Sequence, residues 1–374
     1  MKLVYISNSR MPSEYAHGLQ VMQMCEAFVQ NGCDVELIVP KRVNKIKKDP
    51  FSYYSIKKSF SIKKLLNLDF IFLNNAGIFF WIQTLTFLLS VKIYLLFKKY
   101  NVLYTREQLV GFFFKNFVLE IHSLPKNIKS FHLYIWKKAD RLVVLTPFIK
   151  KRLIDLGISE DKILVAPDGV DLQRFDLNLP KNEARVRLNL PKDKKLIGYV
   201  GAFRTLGMEK GLDVAILAMK ALPIDAILVL VGGHLQDIEY YKNLSHKIGV
   251  EKKIILIGRV DYKLVPIYLQ AFDVLIAPFP ETEHYNYYMS PMKIFEYMAA
   301  KRPIISTKLP SLVAIIGGGE AFLVAPGSSK DLAEGMAKIL QDEPFGQKLI
   351  ERANEKIKDL TWAKRVQKII EFIK

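Results

Sequence analysis

Apolar positions along this chain alternate between two spacings. Short unbroken apolar runs predict strands over residues 2–7, 34–39, 102–104, 117–121, 141–145 and 163–166. Between them lie stretches with helical spacing. Residues 18–31 place Val21, Met24, Cys25 and Phe28 on one face, and Asn31-Gly32 ends the helix. Residues 147–155 predict a second helix, with Thr146 as cap and Pro147 at its first position. A Leu/Pro/Asn/Lys-rich stretch over 176–195 has little periodicity and predicts a hinge. The alternation then restarts, with strands over 196–200, 226–231, 254–257, 274–277 and 303–306 and helices between them and after. The tail, 361–373, is amphipathic, with Trp362, Val366, Ile369, Ile370 and Ile373 on one face. This order predicts an α/β protein of two Rossmann-like domains, 1–180 and 181–360, the second with about six parallel strands. Facing domains of this kind bind ligands in a cleft at the carboxyl ends of their strands.

One stretch fits less simply. Residues 78–97 are apolar enough to suggest a membrane span, but Gln83 and Lys92 interrupt them and a strand follows at once. A core helix is the preferred reading, and a helix resting in a bilayer interface the alternative. Half of the 374 residues are apolar, which suits packed cores and excludes a disordered chain. Two cysteines, Cys25 and Cys33, exclude a disulfide framework and fit a reducing compartment. The first residues read as a strand and not as a secretion signal. Net charge is +18. It is most concentrated between Lys41 and Lys64, where nine bases, Lys57, Lys58, Lys63 and Lys64 among them, meet only Asp49. Phe51, Tyr53, Tyr54 and Phe60 interleave with these bases. The segment is read as facing an anionic membrane surface. A solvated basic loop is the plainer alternative.

The candidate chemistry lies at two helix starts in the second half. Gly201-Ala-Phe-Arg204 follows the 196–200 strand, and Lys210-Gly211 precedes a helix. Ser290-Pro-Met-Lys293-Ile-Phe-Glu296 begins another. Cations at the positive end of a helix are electrically misplaced unless an anion sits between them. Arg204, Lys210 and Lys293 are therefore read as phosphate-binding. Glu296, among apolar neighbours, needs a partner. Ribose hydroxyls are one, and an ion pair with Lys293 or Arg302 is the other. Glu281-Thr-Glu283 is read as a solvated acidic loop rather than a metal site.

His17-Gly18, Glu120-Ile-His122, Leu145-Thr-Pro147, Asp168-Gly-Val-Asp171, Gly201-Ala-Phe-Arg204 with Lys210-Gly211, Val231-Gly-Gly233 and Ser290-Pro-Met-Lys293 with Glu296-Tyr occur in an order that resembles family-4 retaining glycosyltransferases with the GT-B fold. The resemblance spans nearly the whole chain. It implies two facing Rossmann-like domains, with the C-terminal helix crossing back to the first domain. It implies transfer of a hexosyl group from a UDP- or GDP-linked sugar to a glycan or lipid-linked acceptor, with retention, no divalent metal and no cofactor. His122, Arg204 and Lys210 take the catalytic roles. Gly18, Arg204, Lys210, Val260, Ser290, Met292, Lys293 and Glu296 take the donor- or nucleotide-binding ones. One departure stands out, because the family's usual Glu-x7-Glu signature has Tyr288 in its first position here.

Two other functions were weighed. A sugar-nucleotide epimerase of similar shape needs paired acid and base residues that the sequence does not offer. A nucleic-acid-binding protein would explain the charge, but no recognised binding module accompanies it. The expectation is a cytoplasmic enzyme, peripheral on the membrane, in cell-surface polysaccharide synthesis, with no nucleic-acid partner.

Overall fold

The computed structural model describes residues 1–70, 76–205 and 207–374. They form two compact units, Met1–Pro167 with Trp362–Lys374, and Asp168–Thr361. The division falls earlier than the break after residue 180 expected from composition.

The first unit carries a seven-stranded, all-parallel sheet. Its strands are β1 (Lys2–Ile6), β2 (Asp34–Pro40), β3 (Ser61–Leu65), β4 (Val102–Thr105), β5 (Val118–Ile121), β6 (Arg141–Val144) and β7 (Ile163–Val165), in the order β3-β2-β1-β4-β5-β6-β7. Its helices are α1 (Ala16–Gln30), α2 (Pro50–Tyr54), α3 (Ala76–Leu95), α4 (Val110–Phe113), α5 (Ser130–Lys138) and α6 (Pro147–Asp155). The second unit begins with α7 (Leu172–Phe175) and α8 (Lys181–Arg187). Its six parallel strands are β8 (Lys195–Val200), β11 (Ala226–Val231), β12 (Ile254–Ile257), β13 (Val274–Ala277), β14 (Ile304–Thr307) and β15 (Phe322–Val324), in the order β12-β11-β8-β13-β14-β15. A small antiparallel hairpin, β9 (Arg204–Thr205) and β10 (Met208–Glu209), stands apart from that sheet. The remaining helices are α9 (Leu212–Ala218), α10 (Leu235–Ile248), α11 (Val265–Ala271), α12 (Met292–Ala299), α13 (Pro310–Ile316), α14 (Ser329–Gln341) and α15 (Glu343–Ile357), with α16 (Trp362–Ile373) returning to the first unit.

Strand order reverses between β1 and β4 in the first unit and between β8 and β13 in the second. Those reversals open a crevice at the carboxyl ends of the strands. Both cores follow from the unbroken apolar runs, because each central strand is covered on two faces. β11, for example, is buried along its whole length.

Three sequence readings need correction. β3 and α2 lie inside the basic segment, so it is not a plain solvated loop. Phe51, Tyr54, Ile56 and Phe60 of that segment are buried, so those side chains are not free to enter a lipid surface. Lys57, Lys58, Lys63 and Lys64 remain exposed. The supposed hinge contains α8, fastened to its own unit by Arg185. That side chain donates to the Ala271 carbonyl at 2.8 Å and pairs with Asp273 at 2.7 Å. Finally, α3 is not a core helix. Gln83, Thr84, Phe87, Leu88, Val91 and Leu95 are buried, but its opposite face is open and apolar.

Candidate functional site

In the second unit the crevice beside β8 is lined from four chain segments. β8 runs directly into Gly201, whose φ of 136° is accessible only to glycine. A Cβ at Gly201 would also stand 3.1 Å from the Lys293 ammonium. Gly211 caps α9 with φ 72°, and a Cβ there would strike the Pro278 carbonyl at the end of β13. These two glycines let the 201 turn and the α9 start close over the strand ends. Lys210 and Lys293 both approach the Phe279 ring, at 6.0 and 5.6 Å, and Lys293 sits 3.4 Å from the centre of the Tyr199 ring. Lys293 is buried and its ammonium has no hydrogen-bond partner. Burial pulls Lys293 well below the usual lysine range, and the neighbouring Lys210 charge pulls the same way, against Glu296. Burial also brings Lys210 down to about 8. Two desolvated cations thus share one crevice, and among the described residues no carboxylate forms an ion pair with either. The arrangement can accept an anion between them.

Glu296 lies one turn along α12 and accepts the Tyr262 hydroxyl proton at 2.9 Å. Burial raises its carboxyl, with Tyr262, Lys293 and Arg174 opposing. The ion pair weighed as the alternative is not formed, since Arg302 donates instead to Gln270. Tyr297 accepts the Val200 N–H at 2.9 Å and so ties α12 to the end of β8. Ser290 is buried and accepts the Asp168 N–H at 2.9 Å, which makes it a fastener of the 168 loop. Met292 opens α12, and Val260 packs with Tyr262 beside the core. Arg204 stands apart from the two lysines. Its side chain leaves β9 toward α10, pairs with Asp237 at 3.1 Å and lies over the Tyr240 ring. Tyr288, in the position of the missing glutamate, donates to Glu283 at 2.9 Å. A carboxylate of the acidic loop thus lies one hydrogen bond away from that position.

The first unit has its own crevice, between β1 and β4. A pocket of about 270 Å³ is lined by Ser7, Asn8, Ser9, His17, Val21, Phe80, Arg106 and Glu107. His17 does not cap α1, whose cap is Tyr15. It stacks on that ring at 5.9 Å. Burial, then the Arg106 charge, lowers it to about 4 and keeps it neutral. Gly18 faces the Tyr54 hydroxyl, which would collide with any Cβ, so its absent side chain serves that packing. Sequence reasoning missed Arg106 and Glu107, because no motif surrounds them.

Glu120, on β5, is buried and accepts from Gln20 at 2.9 Å, Arg365 at 3.0 Å, Tyr104 and His122. Burial would raise its carboxyl, but Arg365, His122 and Arg106 together hold it well below the carboxylate range. His122 is lowered to about 4, first by burial and then by Arg106, against Glu120. An ionised Glu120 beside a neutral imidazole fixes the tautomer, with Nε2 carrying the proton and Nδ1 its lone pair. Arg365 reaches this site from α16, where it also donates to the Pro167 carbonyl at 2.9 Å.

Comparison with known proteins finds one family match in each half of the chain. Residues 18–174 match the sequence family described as Glycosyltransferase Family 4, and residues 180–356 match Glycosyl transferases group 1. A D-inositol 3-phosphate glycosyltransferase of Corynebacterium aurimucosum is 29% identical over 60% of this chain and 54% of its own length. A putative teichuronic acid biosynthesis glycosyltransferase of Bacillus subtilis, TuaH, is 26% identical over 50% of this chain and 45% of its own. The chain thus spans about half the length of the curated relatives it matches. The crystal structure of Anabaena Alr3699/HepE in complex with UDP and glucose shares the fold, with a TM-score of 0.75 and 17% identity over 99% of this chain and 98% of that one.

Proposed function

Because this chain belongs to the family-4 glycosyltransferases, we propose that it moves a hexosyl group from a UDP- or GDP-linked sugar to a hydroxyl of a glycan or lipid-linked acceptor, retaining the anomeric configuration. The observation that carries the reading is the pair of desolvated lysines, Lys210 and Lys293, beside β8 with no anion of their own. A nucleoside diphosphate supplies that anion. As the glycosidic bond breaks, charge grows on the departing diphosphate, and cations already in place stabilise it without reorganisation. Arg204 adds a third positive charge once it exchanges Asp237 for phosphate. Glu296 accepts ribose hydroxyls, with Tyr262 holding its carboxylate. His122 offers Nδ1 to a sugar hydroxyl. The incoming acceptor's proton is given to a phosphate oxygen of the donor. No resident cofactor takes part.

Likeness to the putative teichuronic acid biosynthesis glycosyltransferase supports a polysaccharide as the product class. The exposed Lys57, Lys58, Lys63 and Lys64 support a place on an anionic membrane surface.

Two outcomes test the chemistry. Turnover of the preferred nucleotide sugar is expected to survive EDTA, because lysines rather than Mg²⁺ or Mn²⁺ carry the leaving-group charge. Complete loss on chelation, restored by one metal, would remove that assignment. Glu296→Gln is expected to weaken UDP or GDP binding about tenfold, an amide being the poorer acceptor for two hydroxyls. Unchanged affinity in calorimetry, with a lower melting temperature, would make Glu296 structural.

A further inference from the structure

Among the described residues, the open face of α3 is an apolar surface of the first unit with nothing packed on it. Ile78, Trp81, Leu85, Leu89, Ile93 and Leu96 recur at helical spacing and are all exposed, Trp81 at 48% and Leu96 at 72%. Leu66 and Leu68, also exposed, run beside the helix, where the Leu68 N–H donates to Thr86. A row of this length covers about 27 Å at 1.5 Å per residue. It exceeds the scattered apolar side chains normal on a soluble surface.

The opposite face of α3 cannot leave the sheet cheaply. Gln83 donates to Asn8 at 2.9 Å, Asn8 donates to Thr84 at 2.9 Å, and Tyr94 donates to Glu36 at 2.8 Å. Inserting the helix across a bilayer would strand these polar groups. The helix is therefore built to lie on a surface, not to cross one.

Charge selects the surface. Lys92 lies on the exposed row itself, and Lys98 and Lys99 follow it. Lys63, from β3, and Lys98 both stand over the Tyr94 ring, at 5.3 and 5.2 Å. Two copies of this face would bring like charges together, whereas an anionic lipid surface meets lysine with phosphate and the apolar row with acyl chains. We propose that α3 docks flat on an anionic lipid bilayer, its row from Ile78 to Leu96 buried in the interface and Lys63, Lys64, Lys92 and Lys98 on the headgroups. Phe80, in the first turns of α3, also lines the pocket that holds Arg106. A lipid-borne acceptor held by α3 is thus delivered to that pocket. This part rests on the transferase reading, while the docking itself does not.

Trp81 reports the docking directly, because Trp136 and Trp362 are buried. With vesicles of phosphatidylcholine and phosphatidylglycerol, wild-type emission shifts to the blue and is quenched by brominated acyl chains. Trp81→Phe still floats with the vesicles but loses both signals. Leu85→Gln/Leu89→Gln/Ile93→Gln loses at least about 100-fold in vesicle affinity, while Ile224→Gln, an exposed apolar residue of the second unit, loses none. Melting temperature and UDP or GDP binding are followed in every variant. Flotation of wild type without quenching of Trp81, or of the triple variant as wild type, overturns the proposal. So does a soluble dimer that ignores vesicles and that the triple variant dissolves. Nucleotide binding that fails while docking holds overturns the transferase reading alone.

Discussion

Lys293→Met is expected to lower turnover about 100-fold while raising the melting temperature of the nucleotide-free protein. The two effects have one cause. Removing a cation placed for the leaving group forfeits about 3 kcal/mol of transition-state stabilisation. In the empty site the same ammonium is buried, unpartnered and repelled by Lys210, so an apolar chain of similar shape relieves the fold. Function and stability then move in opposite directions, as they do where strain is kept for activity. Lys210→Met behaves alike with a smaller stability gain, since Lys210 is only half-buried. A lysine that merely filled space would show no loss of turnover.

Arg365→Met is expected to cost about 3–5 kcal/mol, because it leaves Glu120 buried without its main cation. The pH dependence shows why. In the wild type the Glu120 carboxyl is held low, so its stabilising contribution is present above the unfolded carboxylate range and lost only as pH falls below it. Without Arg365, burial dominates and the carboxyl rises. The folded variant then binds more protons than the unfolded chain, and its stability increases as pH falls from 8 toward 5. Urea unfolding at several pH values checks this, and Glu120→Gln in the same chain should restore most of the loss. A variant as stable as wild type at pH 8 would remove the pair from the fold's support.

The parts of this protein that sequence made legible are those whose physics is local. Unbroken apolar runs such as Ala226–Val231 read as central strands because nothing else buries both faces of so short a segment. Lys210 and Lys293 stood out because cations at helix starts want an anion. The edge strand β3 did not, because two of its five residues are exposed lysines. α8 did not, because Arg185 has a purpose only beside Asp273, far along the chain. Glu120 appears in sequence only beside His122 in one motif, because Arg365 lies 245 residues away and nothing local signals their pairing. The α16 stripe was legible, and the ionic contact that the same helix carries was not. Arg204 reads from sequence as a phosphate-binding cation beside Lys210, whereas its place in β9 and its pairing with Asp237 are matters of tertiary placement.

Calorimetry of UDP and GDP binding in EDTA, run at pH 8.5 in two buffers of different ionisation enthalpy, tests the central claim most directly. Burial holds Lys210 at about 8 and pulls Lys293 well below the usual lysine range, so the empty site is partly unprotonated at this pH. A diphosphate between them restores the protons. One of the two nucleotides should bind saturably, take up protons from buffer and weaken as pH rises further, and Lys293→Met should remove most of that uptake. Saturable binding with no proton uptake, unchanged in Lys293→Met, would contradict the assignment of these lysines to the donor diphosphate.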